Sequence, residues 1–146
     1  MRQGPTVFSS LTALFNPRSV AVIGASENPG KLGFHVMKSL TAGGFKGVIL
    51  PVNPGSETVM GIRTVPSIKA YGGPVDLAVV VLPSGAVPAV FEACAAKGVK
   101  GIVLITAGFK EIEDPRGAEL QLRLRVMADR AGIAVIGPNT FGMVNL

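Results

Sequence analysis

The sequence predicts an α/β fold: a doubly wound parallel sheet of about five strands with helices on both faces. Three observations predict it. Short apolar runs alternate along the chain with segments of helical period. Those runs are apolar throughout instead of alternating with polar residues, as strands covered on both faces require. Each of the three longer helical segments is followed by glycine: Gly43-Gly44, Gly98 and Gly132. A left-handed residue commonly ends a helix at that position.

The elements follow in order. A short helix is expected near residues 9–15, then a strand over 19–24 that empties into Gly24-Ala25-Ser26. Asn28 reads as the N-cap of a helix over 29–42, with Pro29 at the first helical position, where its missing N–H costs nothing. A second strand spans 47–52. Gly55–Gly73 then replaces a full helix with turns, with a short strand at Thr58–Arg63. A strand over 76–82 leads to a helix over 84–97, with Ser84 as its cap and Pro88 near enough to the start to be tolerated. Strands over 101–106 and 133–137 flank a helix over 116–131. In that helix Leu120, Leu124, Met127 and Ala131 share one stripe. The alternation of Leu120, Leu122, Leu124 and Val126 also fits a strand, but the Ala, Gln, Glu and Arg content favours helix.

Composition narrows the function classes. At 146 residues the chain has one domain's length, 1–146, enough to bury a core. Its longest clean apolar run, Leu77–Leu82, is far short of a membrane span, and the N-terminal segment lacks a signal-peptide core. A cytoplasmic protein with no membrane partner is the expectation. The net charge is +5, but the 14 Lys and Arg residues are scattered, and with no Trp and one Tyr there is no stacking platform for nucleic acid. A modest positive field suits a polyanionic small molecule instead. The single cysteine, Cys94, excludes an internal disulfide and a cysteine-based zinc site, and its helical pattern places it among apolar neighbours as a core thiol. His35 has no nearby acid to orient it for catalysis.

The turn after the first strand reads as an anion cradle, because a helix N-terminus presents unpaired N–H groups and the positive end of its dipole. It is not a metal-nucleotide P-loop. Five residues, one too many, separate Gly24 from Gly30-Lys31, and Leu32 stands where Ser or Thr would hold magnesium. Nor is it a strict G-x-G-x-x-G turn, since Ser26 takes the second glycine position, although Gly30-Lys31-Leu32-Gly33 keeps the last spacing. The second strand ends in Val52-Asn53-Pro54, without the acid that holds the ribose in an NAD site. The strand ends Gly24-Ala25-Ser26, Val52-Asn53-Pro54, Leu82-Pro83-Ser84, Thr106-Ala107-Gly108 and Gly137-Pro138-Asn139 are expected to form one rim. Small residues, backbone donors and hydroxyls dominate it. That chemistry suits binding better than proton transfer or nucleophilic attack, so no catalytic and no metal-ligating residue is assigned.

Five segments in this order, Pro17–Ser26, Pro51–Pro54, Pro74–Pro83, Ile105–Phe109 and Gly137–Asn139, resemble the N-terminal CoA-binding domain of NDP-forming acyl-CoA synthetases, a family related to the succinyl-CoA synthetase alpha subunit. The resemblance covers approximately residues 10–146. It implies a Rossmann-like fold that binds CoA or acyl-CoA. By position, Gly24, Ala25, Ser26, Lys31 and Leu32 match the turn that holds the CoA phosphates. Leu82 and Pro83 match the strand end on the adenine side, and Ile105, Thr106 and Ala107 the loop that meets the pantetheine arm. Asn53 and Pro54 match a segment that precedes a basic residue in many relatives; here Gly55-Ser56 follows, so that lysine is missing. Thr140 replaces the cysteine of the family's Gly-Pro-Asn-Cys exit.

The resemblance also implies what lies elsewhere. In such synthetases acyl transfer uses a phosphohistidine in a following domain and nucleotide bound by an ATP-grasp module, as further domains or a subunit. His35 lies in the wrong domain for that role. The expectation is an excised or stand-alone first domain, not catalytically complete alone. Two alternatives stay open: a ligand-sensing regulatory domain of an acetyltransferase, and an NAD-binding oxidoreductase domain.

Overall fold

The computed structural model describes residues 7–106 and 115–138. Helix α1 (Val7–Phe15) precedes strand β1 (Ser19–Ile23), helix α2 (Leu32–Ala42) and strand β2 (Val48–Val52). A hairpin of two short strands, β3 (Thr58–Val59) and β4 (Ile62–Arg63), follows. Then come β5 (Leu77–Val80), α3 (Val87–Lys97), β6 (Gly101–Leu104), α4 (Pro115–Ala131) and β7 (Ala134–Ile136). The main sheet has five strands in the order β2-β1-β5-β6-β7, all parallel. This is the α/β, Rossmann-like arrangement expected. Left-handed glycines follow the three longer helices at Gly44, Gly98 and Gly132.

Period-two alternation divides the core between the two faces of the sheet. Val20 and Val22 of β1 and Val79 of β5 point to one face, where they pack with Leu14 of α1, Met37 of α2 and Val59 of the hairpin. Ala21 and Ile23, with Ala78 and Val80, point to the other and meet Val87, Phe91 and Cys94 of α3 and Leu124 and Ala128 of α4. Every residue of β1 is buried, which is why its sequence is a continuous apolar run. In α4, Leu124 is buried, Leu120, Met127 and Ala131 are partly buried against that core, and Leu122 and Val126 are exposed. The helical stripe therefore governs this segment, not the alternation.

Pro51 is tolerated inside β2 because β2 is an edge strand. Its carbonyl accepts from Val65 N, and Asn53 N donates to Val65 O, so a parallel bridge from Val52 to Val65 covers the upper part of that edge. At the amino end of the sheet, Ser19 Oγ donates to Pro74 O and accepts from Asp76 N, while Asp76 also accepts from Arg18 N. The hairpin replaces the single short strand expected at Thr58–Arg63. Met60 and Gly61, both at positive φ, form its turn, as the right-handed twist of a tight hairpin favours. Among the described residues no helix is long and apolar enough to cross a membrane.

Candidate functional site

A cavity of about 980 Å³ opens at the carboxyl end of the sheet. The chain runs outward from β1 to β2 and then returns across β1 to β5, and open α/β sheets bind ligands at such a reversal. Known small-molecule sites span roughly 300–1,000 Å³, so this one has room for a large ligand. Gly24, Ala25, Ser26, Lys31 and Leu32 line it from the first turn, Asn53 and Pro54 from the end of β2, Leu82 and Pro83 from beyond β5, and Ile105 and Thr106 from beyond β6. Ala107, Gly108 and Asn139 lie outside the described residues. Gly137 and Pro138 do not share this rim. They line a separate depression of about 360 Å³ with Phe91, Leu124 and Arg125, because β7 is the outer strand, two positions from β5.

Two backbone approaches shape the turn. Gly24 has φ +97°, and a Cβ there would stand 2.2 Å from the carbonyl oxygen of Val81. A Cβ on Gly33 would stand 1.9 Å from the carbonyl oxygen of Gly24. The first turn of α2 thus rests on the backbone of the β1 exit, the close helix–strand packing that the last glycine of a dinucleotide turn allows.

Asn28 is not the N-cap. Its Oδ1 accepts from Gly30 N at 2.9 Å, its N–H donates to Ser26 Oγ at 3.0 Å, and its carbonyl accepts from Lys31 N at 2.9 Å. The side chain closes a local turn two residues on, as Asn readily does, and α2 starts at Leu32 instead of Pro29. Lys31 becomes the N-cap residue, without a side-chain cap bond. The N–H groups of Leu32 and Gly33 belong to a first helical turn, which has no intrahelical acceptor for them, and both residues line the cavity. The exposed His35 lies 2.9 Å through Nε2 from the carbonyl of Pro29. A carbonyl only accepts, so this nitrogen carries the proton, and the imidazole pins α2 to the turn from outside the cavity. Likewise Ser84 does not cap α3: it opens a 3-10 turn over Ser84–Ala86, and α3 begins at Val87 with Pro88 in its first turn.

The polar side chains of the floor are committed to the scaffold. Asn53 Nδ2 donates to Ala25 O at 2.8 Å, and its Oδ1 accepts from Gly55 N at 2.7 Å. The amide therefore staples the end of β2 to the first turn. Thr106 Oγ1 donates to Leu82 O at 2.6 Å and accepts from Leu82 N at 3.2 Å, joining the ends of β5 and β6. Among the described residues Lys31 is the one charged side chain lining the cavity; no carboxylate, His or Cys does so. Leu32, 57% exposed, offers apolar surface at the mouth.

Pro66, Ser67 and Ile68, and Ala89, Val90 and Ala93 of α3, also line the cavity; sequence reasoning did not single them out for the site. The Val52–Val65 bridge carries the first three there. For α3 the available signal was Ala89 and Ala93 at i, i+4 spacing, small residues that leave room beside the helix.

Cys94 is fully buried in the α3 core, and burial pushes its thiol from 9.0 up to about 12. The charge-free core cannot stabilise a thiolate.

Fold and site together define a Rossmann-like domain whose cavity sits at the sheet's switch point beside an amide-rich turn and one lysine. More narrowly, the chain belongs to the CoA binding domain family, whose model matches residues 18–145. It is 44% identical over 135 residues to the ADP-forming acetate–CoA ligase II of Archaeoglobus fulgidus, covering 92% of this chain and 20% of that protein. It is 43% identical over 139 residues to the alpha subunit of ADP-forming acetate–CoA ligase I of Pyrococcus furiosus, covering 92% of this chain and 30% of that subunit. Among solved structures, the dinucleotide forming acetyl-coenzyme A synthetase 1 of Ca. Korarchaeum cryptofilum, in complex with phosphate and ADP, superposes with a TM-score of 0.86 at 40% identity. That match covers 92% of this chain and 28% of the other. The chain thus spans under a third of the length of these relatives.

Proposed function

We propose that residues 1–146 form one domain that binds CoA or acyl-CoA in the switch-point cavity, as the CoA-binding part of an NDP-forming acyl-CoA synthetase. The observation that carries the reading is the cavity's lining: one cation at an amide-bearing turn, no carboxylate, and apolar walls. The pyrophosphate lies over Gly24–Lys31, where the first-turn N–H groups of α2 and its dipole attract an anion. Lys31 adds a point charge. Leu82-Pro83 takes the adenine side, Asn53-Pro54 at the end of β2 lies toward the ribose or a phosphate, and Ile105-Thr106 meets the pantetheine arm. The described lining has no carboxylate, His or Cys to serve as a general base beside its hydroxyls, so the domain holds and orients the thiol-bearing ligand. The acyl chemistry belongs to ligase and ATP-grasp domains or a partner subunit, in the cytoplasm where that chemistry runs.

A nicotinamide dinucleotide fits less well. The end of β2 has no carboxylate for its ribose, and the Asn53 amide is already bonded to Ala25 and Gly55. Isothermal titration of the chain with CoA, NAD and ATP tests the reading: CoA is expected to bind most tightly, and a clear preference for NAD overturns it.

A further inference from the structure

Glu27 is out of place electrostatically: it is a carboxylate inside a turn built to attract anions, four residues before Lys31. The geometry explains its presence. Oε1 accepts from the backbone N–H of Met60 at 2.6 Å, at the tip of the β3–β4 hairpin, and Glu27 does not line the cavity. Charge-assisted bonds of this kind to a backbone donor are short and strong. The carboxylate is thereby drawn toward the hairpin.

The hairpin is a firm anchor. Val59 is fully buried against the α1–α2 side of the core, Thr64 N donates to Glu57 O at 2.9 Å, and Thr64 Oγ1 donates to Ser56 O. Met60, at φ +51°, sits at the tip, and its Sδ lies 3.9 Å from Thr41 Oγ1 near the end of α2. The hairpin therefore touches the first turn through Glu27 and the far end of α2 through Met60. From these contacts we infer that Glu27 is a positioning residue, a latch that holds the Ser26–Lys31 turn against the hairpin so that the first-turn N–H groups of α2 that follow it, on Leu32 and Gly33, stay aimed at the ligand's phosphates. This inference rests on the CoA-binding reading above.

Two variants separate the latch from simple charge removal. Glu27→Ala deletes the acceptor, and Glu27→Gln keeps an acceptor oxygen while deleting the charge. Titration of each full chain with CoA is expected to show affinity about fivefold weaker in E27A, on the scale of one net hydrogen bond, and within about twofold of the parent in E27Q. Retained affinity in E27A, or an equal loss in both variants, overturns the latch. Amide exchange at Met60, read without ligand, separates this failure from failure of the binding reading. Exchange is expected to speed up in E27A and to be restored in E27Q. If the parent chain binds no CoA, the functional reading falls, while unchanged exchange at Met60 in E27A removes the latch itself.

Discussion

Lys31 is the residue on which the electrostatics of the cavity turn. It occupies the N-cap of α2, and every other described lining residue is uncharged. Lys31→Glu reverses the sign at the mouth, so CoA affinity is expected to fall about tenfold at low salt and by less as added salt screens this exposed position. Titrations at two ionic strengths check this, and an unchanged affinity removes Lys31 from the site. Lys31 was visible in the sequence because a cation beside a glycine-rich turn is a local pattern. The task of Asn28 was not, because an Asn before Pro fits either a helix cap or a self-closing turn, and the hydrogen bond to Gly30 selects the second.

At the level of helix and strand, the start of α2 meets the exit of β1 backbone against backbone, at Gly33 and Gly24. Gly33→Ala places a methyl 1.9 Å from a carbonyl oxygen that belongs to the turn itself, so α2 must back away. A loss of about 1–3 kcal/mol in urea unfolding is expected, together with weaker CoA binding, because the first-turn N–H groups retreat from the cavity. Gly30→Ala is the control. Its nearest neighbour, Asn28 Oδ1, stays at 3.2 Å, and the change is expected to cost less than about 1 kcal/mol. Equal effects from the two substitutions would refute the close-packing role of Gly33. The strands of the main sheet were readable from their apolar runs, and so were the helices that follow β1, β5 and β6. The hairpin was readable only as one short strand, since two-residue strands carry too little pattern to separate from their turn.

For the molecule as a unit, Cys94 is the reporter. It sits between sheet, α3 and α4, fully buried, with its thiol pushed up to about 12 from 9.0. Above pH 9 the unfolded chain releases this proton and the native chain keeps it, so the native state binds more protons and stability falls as pH rises toward 12. Urea unfolding of the parent and of Cys94→Ala at rising alkaline pH is expected to show a steeper decline in the parent. Parallel declines would show that the thiol does not contribute.

Fold class, element order and the glycine-rich turn were written in local residue patterns: apolar runs set strands, helical stripes set helices, and the missing acid after β2 argued against NAD before any strand was placed. Other features depend on which strands become neighbours and how the loops between them run. The strand order separates Gly137-Pro138 from the other strand ends, and the Val52–Val65 bridge brings Pro66, Ser67 and Ile68 into the cavity wall. Asn53 meets Ala25 across 28 residues, and Glu27 meets Met60 across 33. Such contacts arise from the packing of distant segments around one sheet, and the spacing of residues along the chain does not encode them.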